Sequence, residues 1–154
     1  MLTPSRFIAS ICPLALALVL LGSPPAAHAA DSPARAKLVQ VQTAQSKLRG
    51  SFDAAKIAPG PAPAGLKAVS ADASALVSAL GQLRTQAVKA GAKSDVLAKF
   101  DGVDGEAQKL ASRTSALVGK KLTPIDVQAL SSAMTKIQDD LAAVLGLLEP
   151  VITR

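Results

Sequence analysis

The side chains that most often carry chemistry are scarce in this chain. It has one cysteine, Cys12, and one histidine, His28, among 154 residues, and both fall within the first thirty. A thiolate or imidazole metal centre needs several such ligands converging on one ion. A Ser–His or Cys–His nucleophile needs a histidine that stays with the folded chain. A C-x-x-C-H haem attachment motif is absent. Met134 recurs at the spacing of its apolar neighbours, so it reads as core rather than as a lone axial ligand. A Ser–Lys pair is the one nucleophile–base combination the composition permits, and no spacing marks one out. The expectation is a protein that is not an enzyme, with no catalytic residues, no cofactor and no metal.

Two charged constellations remain. The first is Asp101-Gly102-Val103-Asp104-Gly105-Glu106. Carboxylates interleaved with glycines suit a Ca²⁺ loop, but Val103 stands where an EF-hand needs Asp or Asn, and no bidentate Glu follows at the right distance. Read as local structure, the two glycines break a helix, Asp104 caps its restart and Glu106 sits in the new first turn.

The second constellation is basic. Arg35, Gln42, Arg49 and Lys56 are spaced seven apart, which places them in one stripe on a helix. Such a stripe either binds an anionic partner or pairs with acids on a neighbouring helix. The anionic partner could be a lipid headgroup, an acidic glycan or an acidic protein. In an antiparallel pairing Lys56 would lie near Asp126 and Arg35 near Glu149, with no acid opposite Arg49. The candidate anionic-partner residues are therefore Arg35, Arg49 and Lys56. The net charge of +6 gives this reading a direction. Bases gather in residues 30–93, and acids outnumber them after residue 123. Nucleic acid is not expected, because the chain has no Trp or Tyr on which to stack bases and reads as exported.

Export is read from residues 1–29. Arg6 gives a short positive start, Phe7 to Gly22 is apolar, Ser23-Pro24-Pro25 breaks any helix, and Ala27-His28-Ala29 is an A-x-A cleavage pattern. This is a secretory signal peptide cut after Ala29, which places the protein in the periplasm or outside the cell. The domain expected to remain, residues 30–154, holds no cysteine, so its core must hold it together without a disulfide. No apolar run after the cut is long enough to span a membrane.

The elements that must position the charged residues are helices. Large aliphatic residues with Phe make up about a quarter of residues 30–154, enough for collapse. Abundant Ala favours helix. Helix one starts at Ser32-Pro33 and carries the seam Ala34, Leu38, Val41, Leu48, Phe52, Ala55, ending before a Pro-rich extended loop at residues 58–65. Helix two carries Leu66, Val69, Ala73, Leu76, Leu80, Leu83, Ala87 and stops at Gly91. Helix three starts at Ser94-Asp95 and carries Val96, Phe100, Val103, Ala107, Leu110, Thr114, Leu117, with a kink or a short break at Gly102 and Gly105. Helix four opens on Thr123-Pro124-Ile125-Asp126, carries Val127, Leu130, Met134, Ile137, Leu141, Val144, Leu148, and stops at Pro150. No segment alternates as a strand would. Short connections force antiparallel neighbours, so the expected fold is an all-α up-down-up-down four-helix bundle, monomeric or homodimeric. The functional expectation is an exported binding protein that engages a protein partner or an anionic envelope surface. The alternative is a carrier of a small apolar ligand, such as a fatty acid or lipid, within the bundle.

Overall fold

The computed structural model describes residues 32–152. The expected signal peptide and its cut after Ala29 lie outside the described residues. The described chain forms a four-helix bundle: α1 (Pro33–Ala55), α2 (Leu66–Lys89), α3 (Ser94–Leu117) and α4 (Pro124–Ile152). Two short strands, β1 (Gly60–Pro61) and β2 (Lys121–Leu122), join the first and third connections.

The helix starts follow from their caps. The Ser32 hydroxyl accepts from the Arg35 amide at 3.2 Å, and Pro33 takes the first helical position, where a missing N–H costs nothing. At α4 the cap is reciprocal. The Thr123 hydroxyl accepts from the Asp126 amide at 3.2 Å, while the Asp126 carboxylate accepts from the Thr123 amide at 2.9 Å. The stops are equally local. Lys56 ends α1 in the left-handed region, and Gly91, at φ 77°, ends the turn after α2.

Three expectations are corrected. Helix α3 runs unbroken through Gly102 and Gly105, so Asp104 is a mid-helix residue and not a cap. Neither glycine has a positive φ, and Phe100, Val103 and Ala107 on either side are buried, so packing holds the turn that propensity alone would weaken. Helix α4 continues two residues past Pro150. The proline removes one amide in the last turns, and Gly146, whose carbonyl would have accepted it, faces solvent. The Pro-rich loop also supplies a strand, which no local alternation announces. Gly60 pairs with Leu122 and Pro61 with Lys121 in antiparallel register. Pro61 is tolerated because the pair is only two residues long and all edge.

Side-chain ties show that α1 and α2, and α2 and α3, run antiparallel. Lys37 reaches Gln82 at 2.6 Å and Lys47 reaches Asp72 at 3.3 Å, linking α1 to α2 in opposite senses. Arg84 meets Asp101, and the Ser70 hydroxyl donates to the Ala111 carbonyl at 3.2 Å, which does the same for α2 and α3. Helix α4 lies mainly against α3 and meets α1 and α2 more sparsely. Its buried face carries long side chains, Leu130, Met134, Ile137, Leu141 and Leu148.

All seven residues of the α2 seam are fully buried, as are Val41, Leu48, Leu130, Ile137, Leu141 and Leu148. They form one continuous cluster with Phe100 and Leu110. Each buried Leu, Ile or Phe contributes roughly 1.5–3 kcal/mol relative to exposure.

Candidate functional site

The predicted stripe stays on the surface. Arg35, Arg49 and Lys56 are all exposed along α1. The acid near Arg49 comes from its own helix: Asp53 stands one turn on, with Nε to Oδ2 at 3.9 Å. Both groups are largely solvated, and such a pair contributes little. The pairing of Lys56 with Asp126 does not form, because Asp126 turns back on Thr123. Lys56 instead occupies the exposed C-cap of α1.

Several acids in the middle of the bundle meet groups of the bundle itself. Asp72 is almost wholly buried on α2, accepts the Ser51 hydroxyl from α1 and faces Lys47. Asp101 receives two bonds from the Arg84 guanidinium, which holds its carboxyl below the usual range and raises the Arg84 value. Glu106 meets Lys109 at 3.1 Å, and Lys136 meets Asp140 at 2.7 Å, which raises the Lys136 value. Asp104 accepts from Gln108 at 2.7 Å. The acidic cluster of α3 is thus dispersed: Asp101 faces α2, Asp104 meets Gln108 through Oδ2 while its Oδ1 is buried without a hydrogen-bond partner, and Glu106 faces Lys109. Among the described residues, no three His, Cys, Asp or Glu converge as a metal site.

Ser51 and Lys47 share Asp72 between them: the Ser51 hydroxyl donates to the carboxylate, and the Lys47 amine lies 3.3 Å from it. The arrangement ties α1 to α2.

Comparison with protein-family models, curated proteins and solved structures finds no match to this chain. The site must therefore be built from its own residues.

The end of the bundle bearing β1 and β2 differs from the middle. The Ala62 amide donates to the Lys120 carbonyl at 2.9 Å, locking the first connection onto the third. Gly65 lies against Ala55, where an added Cβ would stand 3.0 Å from the Ala55 Cα, so the end of α1 and the start of α2 are held together. These two contacts bring Lys56, Lys67, Lys120 and Lys121 to one end, all four exposed. None of them takes part in an ion pair among the described residues. Ile125, 77% exposed, and Val118, 43% exposed, stand among them. Shallow grooves of about 430 and 270 Å³ flank the strand pair, and Lys121 borders both.

Sequence reasoning picked out Lys56 and missed Lys67, Lys120, Lys121 and Ile125. The adjacent pair Lys120-Lys121 in a loop was the available signal. Its meeting with Lys56 depends on the strand pair, which joins residues about sixty apart.

A larger groove, about 770 Å³, runs along α3 beside α4 and is open to solvent. Leu110 lies at its floor, with Gly105, Ala116 and Ala133 along it and Lys109 and Arg113 at its rim. No helix among the described residues is long and apolar enough to cross a membrane.

Proposed function

We propose that this chain is an exported, non-enzymatic helical bundle of up-down-up-down topology. After a cut following Ala29 it acts in the periplasm or outside the cell by binding an anionic envelope surface. The observation that carries this reading is the gathering of Lys56, Lys67, Lys120 and Lys121, all exposed, at one end of the bundle. Lysines at the strand-bearing end have no ion pair among the described residues. A positive surface whose counter-charges are not supplied from within attracts an external polyanion.

The test is binding of the purified protein to anionic vesicles and to an acidic glycan at low and high salt. Retention at low salt that fades as the Debye length falls from about 10 Å at 0.1 M supports the reading. Arg49→Glu weakens retention only modestly, since Asp53 already offsets that charge. No retention on either material at low salt would overturn the reading.

The groove along α3 favours a second reading, a carrier of a small apolar acid. Leu110 would meet the apolar tail, and Lys109 or Arg113 the carboxylate. The groove lies on the outer surface, while the seams between the helices are filled by large side chains. Native mass spectrometry of the protein purified from its own host separates the two readings, because a carried ligand adds mass.

A further inference from the structure

We infer that the strand-bearing end of the bundle docks on an anionic lipid bilayer, with Lys56, Lys67, Lys120 and Lys121 meeting headgroups and Ile125 entering the interface. This rests on the anionic-surface reading and names its partner and its place.

The backbone leaves this end nearly neutral. The C-termini of α1 and α3 and the N-termini of α2 and α4 meet there, so their dipole ends oppose one another. Side chains therefore set the local potential. Asp126 accepts from the hydroxyl and amide of Thr123, which keeps it charged, and Asp53 lies near Arg49. Four lysines against these acids leave the end with a net positive charge.

The apolar residues choose the source of the anion. Ile125 is the most exposed large hydrophobic residue described, and Val118 stands at the end of α3 on the same end of the bundle. A bilayer interface accepts such side chains beside lysines, whereas a soluble polyanion gives them no apolar environment. The end is also rigid. The strand pair, the Ala62–Lys120 bond and the Gly65–Ala55 contact fix the two connections to each other.

The opposite end is the natural control. It also carries bases, Arg35, Lys89 and Lys93, and exposed Val88, but Asp95 stands beside Lys93 and no strand pair organises the connection between α2 and α3.

The test is co-sedimentation with vesicles of phosphatidylcholine containing phosphatidylglycerol, with pure phosphatidylcholine vesicles and dextran sulfate beads alongside. Lys120→Gln with Lys121→Gln should lower partitioning onto the anionic vesicles by about fivefold per lysine. Ile125→Ser should lower it by about tenfold, and this loss should persist at high salt, because apolar burial is not screened. Lys89→Gln with Lys93→Gln should leave it unchanged. All these positions are exposed, and an unaltered thermal midpoint by circular dichroism confirms folding.

Equal losses at both ends would overturn the proposed place while leaving the anionic-surface reading standing. Binding to dextran sulfate but not to anionic vesicles would overturn the lipid and keep a polyanion. Binding to neither would end both readings.

Discussion

Replacing Gly102 and Gly105 with alanine should stabilise the protein. Both lie inside α3 without positive φ, and an ideal Cβ built at either meets no atom within 4 Å. Alanine therefore adds no clash and loses less backbone entropy on folding, a gain of about 0.5–1 kcal/mol per site. Together the two changes are worth about 1–2 kcal/mol. At about 4 °C per kcal/mol for a domain of this size, the thermal midpoint should rise by about 4–8 °C. Gly65→Ala is the matched opposite. Its new Cβ would stand 3.0 Å from the Ala55 Cα and 3.1 Å from its Cβ, tight enough that the Ala55 backbone must give by a few tenths of an ångström. A loss of about 1–3 kcal/mol is expected there. Thermal melts by circular dichroism and urea titrations read all three. A double alanine variant that melts at or below the parent would refute the continuous helix and restore a break at residues 102–105.

Leu80→Ala and Ile137→Ala should each cost about 2–5 kcal/mol in urea titrations, since both side chains are fully buried. Losses below about 0.5 kcal/mol at both would mean the seams do not face inward. Stability should fall at acid pH. Thr123 holds Asp126, and the Arg84 guanidinium holds Asp101, below the ordinary value of 3.8. The folded state thus favours both charged forms; their contribution is complete above that value and vanishes as pH falls through the lower folded values. The urea midpoint should drop below about pH 4, and Asp101→Asn with Asp126→Asn should make that drop shallower. An unchanged acid limb in the double variant would contradict this. EDTA should leave the thermal midpoint where it is, and a shift would revive the carboxylates of residues 101–106 as ligands.

The helices were legible because their signals are local. Ser32-Pro33 and Thr123-Pro124-Ile125-Asp126 are caps written within four residues, and the α2 seam steps by three and four without exception. The misreadings were places where distant contacts decide. Gly102 and Gly105 look like a break to propensity, but the buried residues around them hold the turn. Asp72 sits among apolar neighbours and is buried because Ser51 and Lys47 on α1 satisfy it, which α2 alone does not announce. The basic stripe was legible as spacing, yet two of its members met different surroundings: Arg49 has Asp53 for company, and Lys56 joins lysines brought in from two other segments. That assembly depends on the strand pair between residues 60–61 and 121–122, which no local pattern encodes.

Hydrogen–deuterium exchange of the purified protein, with and without phosphatidylglycerol vesicles, tests the central claim most directly. Docking through the strand-bearing end predicts added protection in residues 56–67 and 118–126 and none in residues 89–99, with the added protection lost at high salt. Protection centred on residues 89–99, or no change anywhere on adding the vesicles, would contradict the account.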